Sequence, residues 1–210
     1  SAADGYSTIF KMLNGRYTDD KIHSIYTKWK PFPPLLLVSL GVNHDFSEVP
    51  QTVSGFSFAL KEPVEVGGRL LTRLPVHIYN QDPTLAPSGK TMVEVMFDSN
   101  FAYWNELSGN RSIYLEKKQE VEKKIIELLE QRFPGISEKV EMVDVATPVT
   151  FERYTGNWQG SFEGWLITPE NSITFMKRME QTLPGLQNFY MCGQWVEPGG
   201  GLPTSVMSAR

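Results

Sequence analysis

The chain has 210 residues, a formal net charge of −4, 40% hydrophobic and 12% aromatic residues. That is enough apolar material for a core in one large or two small domains, which excludes a disordered chain. The charge is spread without a basic block, which sets nucleic acid aside as a partner, and a single cysteine, Cys192, excludes an internal disulfide.

In chain order, Tyr6 to Leu13 reads as a short helix ending at Asn14-Gly15. A second helix is expected from Thr18-Asp19-Asp20 through Trp29, with Thr18 as its N-cap. Lys30-Pro31-Phe32-Pro33-Pro34 stops helix formation. Strands are expected over Leu35 to Val42, Gly55 to Leu60 and Leu74 to Asn80. The turn-rich stretch from Asp82 to Lys90 leads into another strand, Thr91 to Phe97. From Ser112 to Phe133 the period becomes helical: Tyr114, Val121, Ile125, Leu128, Leu129 and Phe133 form one face, and Glu120 with Lys124 supplies an i,i+4 pair on the other.

Val140 to Val145 is a further strand, Pro148 to Tyr154 a short helix, Asn171 to Gln181 another, and Asn188 to Cys192 the last strand. A helix is then expected to start at Pro203. Strands in runs, without regular strand-helix alternation, predict an α+β fold with a mixed, mainly antiparallel sheet and flanking helices. Both ends of the chain are expected to continue beyond Ser1 and Arg210.

The longest purely aliphatic run, Leu35-Leu36-Leu37-Val38, falls far short of the roughly 20 residues needed to cross a bilayer. No charged-then-apolar leader opens the chain, so a cytoplasmic location is expected. His23, His44 and His77 lie far apart without metal-ligand spacing, and no metal site is expected. Cys192, between Met191 and Gly193 and close to Phe189 and Tyr190, reads as a buried structural thiol. Glu152-Arg153 and Glu163 read as a surface pair or a helix cap, and no acid or base is assigned.

The segment from Cys192 to Pro203, with Pro198-Gly199-Gly200-Gly201-Leu202-Pro203 at its heart, has the strongest chemical content. Successive glycines let backbone amides approach a ligand, and a following helix N-terminus adds free donors. Its order, an apolar strand, Cys-Gly, a polar and an aromatic residue, then Pro-Gly-Gly-Gly-Leu-Pro, resembles the closing FAD-binding motif of phytoene desaturase and carotenoid isomerase-like flavoproteins. The stretch Thr147 to Trp165, with Gly156-Asn157, Gly160-Ser161 and Gly164-Trp165, is similar to the segment that precedes that motif. Ala2 to Thr8 is more weakly similar to the point where the chain leaves the flavin domain.

The resemblance implies FAD as cofactor, with Gly193, Gln194, Pro198, Gly199, Gly200, Gly201, Leu202 and Pro203 on the flavin side. Trp158, Gly160, Phe162, Gly164 and Trp165 would lie toward an apolar substrate, a carotenoid or retinoid that is desaturated or isomerised. It implies residues 1–30 as an edge of the FAD domain, 31–187 as a substrate-binding domain, and 188–210 as the return to the FAD domain. The Gly-x-Gly-x-x-Gly fingerprint of that family is absent here, since Thr204 stands where its third glycine is needed. The chain alone is therefore expected to be inactive, with an N-terminal FAD-binding half as its missing partner and a membrane surface as a further contact. An amine-oxidase-like flavoenzyme and a non-catalytic hydrophobic-ligand module are the alternatives.

Overall fold

In the computed structural model, which describes residues 1–173 and 179–209, two compact units are distinguished: residues 35–149, and residues 1–34 together with 150–210. The first is built on a sheet. Strands β1 (Leu35–Val42), β2 (Gly55–Val66), β3 (Arg69–Ile78), β4 (Thr91–Asp98) and β5 (Val140–Ala146) pair in the order β2-β3-β4-β1-β5. Every pairing is antiparallel, which gives the expected α+β architecture.

β1 looks in sequence like a strand buried on both sides, because its residues are nearly all apolar. The fold treats it as one-sided. Leu36, Val38, Leu40 and Val42 are fully buried, while Leu35, Leu37, Ser39 and Gly41 are only partly covered. The buried row joins Val93, Val95 and Phe97 of β4 and Val145 of β5. Onto that face pack α2 (Phe101–Ser108) and α3 (Arg111–Glu130) through Trp104, Val121, Ile125, Leu128 and Leu129.

Several local expectations change in this unit. β2 and β3 extend into a hairpin closed by Gly67-Gly68, both at positive φ, the backbone that such a tight turn requires. Gly68 is further constrained, because a Cβ there would come within 2.8 Å of the Tyr103 ring. The register of the hairpin shifts between Ala59 and Val64, next to Pro63, which cannot donate to the ladder. Helix α2 was not visible in the hydrophobic period; it is started by Asn100, whose side chain accepts from the Tyr103 amide, and held by the buried Trp104 indole donating to Ser99 Oγ at 3.1 Å. On α3 the ion pairs are Lys117–Glu120 and Lys124–Glu127 at i,i+3, in place of Glu120–Lys124. The helix stops at Glu130, four residues ahead of Pro134, because the Glu130 carboxylate accepts from the Ser137 and Gly135 amides; these bonds hold its pKa below the usual carboxylate value.

The second unit has little regular structure. Ser7–Met12 form a π-helical turn where an α-helix was expected, and α1 (Asp20–Lys28) is capped by Asp19 and not by Thr18. The Asp19 carboxylate accepts from the Ile22 amide at 2.8 Å, whereas the Thr18 hydroxyl turns back to Gly15 O at 2.9 Å. Residues 30–34 run antiparallel to 161–166 through Phe32 N to Gly164 O and Leu166 N to Lys30 O, both 2.9 Å. α4 (Pro148–Thr155) begins at the unit boundary, and α5 (Gly201–Ser208) closes the described chain. Residues 174–178 of the expected helix Asn171–Gln181 lie outside the described residues. The expected strand Asn188–Cys192 is not formed: Asn188 sits at φ +58°, and the main-chain pairing of Tyr190 and Cys192 is with Ser1 alone, too little for a ladder.

Candidate functional site

All thirteen residues expected to face a cofactor or substrate fall in the second unit. Its interior is a chain of aromatic rings. Trp165, fully buried, meets Tyr26, Trp29 and Trp195 edge-on at centroid distances of 5.0, 5.7 and 5.1 Å, and its indole donates to Trp195 O at 3.0 Å. Trp158 stacks flat on Tyr6 at 4.8 Å, and Phe162, 39% exposed, touches Phe32 edge-on at 5.2 Å. Trp165 thus packs the core, while Phe162 keeps a face toward solvent. Cys192 is partly exposed.

Two glycines in this unit are fixed by chain crossing. A Cβ on Gly164 would stand 1.9 Å from the backbone oxygen of Gln194, so the two segments can pass only if residue 164 has no side chain. A Cβ on Gly5 would meet the Tyr26 hydroxyl at 2.2 Å. Burial, and then the neighbouring Asp4 carboxylate, push the Tyr26 phenol above its ordinary pKa. Asp4 is itself buried and accepts from the amides of Ser7 at 2.6 Å and Trp158 at 2.9 Å, so it ties the beginning of the chain to the aromatic segment. The sequence reading passed over Asp4 as a site residue; its position between Ala3 and Gly5, ahead of a helical turn, was the available signal.

The glycine segment has the backbone that was expected of it. Gly193, Gly199, Gly200 and Gly201 all have positive φ, and α5 starts without a side-chain cap. Gly193 N donates to Ser208 Oγ at 2.6 Å and Gly199 N to Trp165 O at 3.1 Å, which hold the turn against the helix end and the aromatic core. A Cβ on Gly201 would stand at van der Waals distance, 3.7 Å, from the Glu163 carboxylate and the Pro203 ring, and one on Gly193 at 3.8 Å from Ala2 O, so positive φ and not crowding favours glycine there. Gly200 differs: the Glu163 carboxylate lies 2.0 Å from where its Cβ would be. Burial alone pushes the Glu163 pKa up. Pro198 is buried, Gln194 partly so, and Pro203 and Leu202 are exposed, Leu202 at 82%. Positive-φ glycine backbone leading into an uncapped helix N-terminus offers amides that would suit the polar edge of a flat, partly anionic group.

No family model matches the chain. It is 24% identical over 207 residues to the chloroplastic prolycopene isomerase of Arabidopsis thaliana, covering 96% of this chain and 33% of that protein. It is 27% identical over 164 residues to the neurosporene-forming phytoene desaturase of Cereibacter sphaeroides, covering 72% and 29%. Among solved structures, an oxidoreductase from Methanosarcina mazei shares the fold at a TM-score of 0.52 and 14% identity, covering 99% of this chain and 41% of that one. The chain spans about a third of the length of the curated relatives it matches. Over that part of their length it is a homologue of the prolycopene isomerases and the phytoene desaturases.

Proposed function

We propose that the chain forms the substrate-side part of an FAD-dependent oxidoreductase that desaturates or isomerises a long apolar polyene. The observation that carries this is the run of left-handed glycines opening onto an uncapped helix, found in a chain that aligns over nearly its whole length with a carotenoid isomerase. Gly193, Gln194 and Pro198 to Pro203 would hold the flavin edge, with the amides at the start of α5 directed at its carbonyl and ring-nitrogen side. When bound, FAD supplies the hydride acceptor. The protein's own part is to orient the substrate and exclude water. The rings of Trp158 and Phe162 and the backbone at Gly160 would line the substrate side, with Trp165 and Gly164 as the packed layer behind them.

On this reading residues 1–30 and 188–210 belong to the edge of the flavin domain and 31–187 to the substrate side. The missing N-terminal half would bring the Gly-x-Gly-x-x-Gly turn for the pyrophosphate. A polyene of this kind resides in membranes, so the enzyme would work at a membrane surface from the cytoplasm; among the described residues no helix is long and apolar enough to cross one.

The test is to co-express the chain with a flavin-domain half carrying the pyrophosphate fingerprint and follow flavin absorbance through gel filtration. Flavin that co-elutes only when both halves are present supports the proposal. Flavin that never co-elutes, or tetraene and carotenoid substrates that fail to bleach the bound flavin anaerobically where a small amine succeeds, would sink it.

A further inference from the structure

The open face of the sheet carries a second site, distinct from the glycine segment and made wholly by the unit of residues 35–149. The strand registers align Gly55, His77, Glu94, Ser39 and Asp144 in one row across β2, β3, β4, β1 and β5. These residues lie on the face opposite the buried row of Leu40 and Val93. The rows on either side are apolar: Gly41 with Met92 and Met142, and Leu37 with Met96 and Ala146. A polar line therefore crosses a methionine-lined surface. Met142 is 73% exposed and Met96 39%.

Beside this line the loop of residues 82–90 overhangs the sheet and leaves a groove of about 320 Å³. Leu85 and Pro87 form its wall, Met92 and Met142 its floor, and Ser39 and Asp144 its polar end. Gly41 sits in that floor, where a Cβ would press on Met142 at 3.3 Å, so the floor stays flat.

The hydrogen bonds at the polar end set what it can accept. Glu94 takes a bond from the Tyr79 hydroxyl at 2.7 Å and a longer one from Ser39 Oγ at 3.4 Å. Ser39 has then spent its single hydrogen, and its oxygen faces the groove as an acceptor. The Asp144 carboxylate has no hydrogen-bond partner among the described residues and, when ionised, is acceptor only. The cation lining the groove, Lys90, is paired with Glu141, which leaves one cation against two carboxylates. Such an end attracts a donor and repels a carboxylate.

We propose that this groove binds the end of an apolar chain that terminates in a hydroxyl group, the hydroxyl donating to the Asp144 carboxylate while Met92 and Met142 cover the chain behind it. This rests on the apolar ligand class proposed above and assigns to the unit of residues 35–149 a site of its own for an apolar alcohol.

The test is a fluorescence titration of the full chain with three conjugated tetraene chains that differ at one end: the alcohol, the carboxylate and the hydrocarbon. The alcohol is expected to bind about threefold more tightly than either of the others, the scale of a net hydrogen bond to an exposed, hydrated carboxylate. Asp144→Leu, which leaves no acceptor, should remove the advantage over the hydrocarbon, and Asp144→Asn, whose amide can also donate, should admit the carboxylate. Met142→Asp, at an exposed position that does not endanger folding, should weaken all three. Equal affinity for the three ends, an alcohol preference that survives Asp144→Leu, or no tetraene binding at all overturns the inference. Flavin retention in the co-expression experiment is read independently, so loss of this site and loss of the flavoenzyme reading are separable.

Discussion

The two units solve the same problem, holding an interior together, by different means. The sheet unit relies on period: alternate residues of β1 and β4 and every third or fourth residue of α3 supply its core. The other unit relies on a few large rings and on close crossings of irregular chain, with Trp165 and Gly164 at the junctions. Periodic packing spreads stability over many aliphatic side chains, so a single loss is tolerated; ring-and-crossing packing concentrates it where one atom too many blocks the chain path.

The comparison can be broken most sharply at its two ends. Trp104→Ala removes the largest buried side chain of the sheet unit and is expected to cost about 3–5 kcal/mol, read as a fall in the denaturant midpoint. Gly164→Ala should cost about 3 kcal/mol in the aromatic unit from a single methyl, because the obstruction is Gln194 backbone. Gly41→Ala, also one methyl, meets only the flexible Met142 side chain and should cost less than about 1 kcal/mol. If the two glycines respond alike, the contrast between the units is wrong. Asp19→Ala should cost about 1 kcal/mol as a lost N-cap, whereas Thr18→Ala should leave helix α1 nearly unchanged.

Two titrations sharpen the same contrast. The Tyr79 hydroxyl donates to Glu94, and that bond, followed by burial, raises its pKa from 10.0 to about 12. A raised value means the bond stabilises the fold fully below pH 10 and is lost as pH climbs through about 12. Ultraviolet titration of phenolate should show two late tyrosines, Tyr26 and Tyr79, of which only Tyr79 moves back toward 10 in Glu94→Gln. Glu163, raised by burial, has the opposite chemistry but the same sign: its neutral form suits the fold, so stability is greatest below its usual value and declines as pH rises through the folded one. Glu163→Gln should flatten that small slope in pH-dependent melting; an unchanged slope places the cause elsewhere.

Where structure follows from neighbours along the chain, the sequence was readable. β1, β4, α3 and β5 fall within a few residues of expectation because their patterns are long and their turns marked. Helix α2 escaped because Phe101 to Ser108 spans barely two turns and its strongest determinant is one tryptophan. The far half of the β2–β3 hairpin escaped because Lys61 to Arg73 is too polar to show a strand period. The mistaken strand at Asn188 to Cys192 had the right composition but only scattered partners, Ser1 for Tyr190 and Cys192 and Gln181 for Met191. The glycine segment was legible as backbone, since glycine runs announce left-handed conformations. The tightness of Gly164 was not, because its partner Gln194 lies thirty residues away. The polar row across the sheet was equally hidden: its members come from five strands and meet only through register.

The sheet order has a consequence for how the chain is made. β1 is synthesised first, yet its neighbours are β4 and β5, the nearer of which begins at Thr91. At about 5–20 residues per second, a ribosome leaves the Leu35 to Leu40 run without its partners for several seconds. During that interval it is the most adhesive stretch of the nascent chain. Slowing translation between residues 42 and 91 should therefore raise chaperone occupancy and aggregation, while the same delay after Ala146 should not.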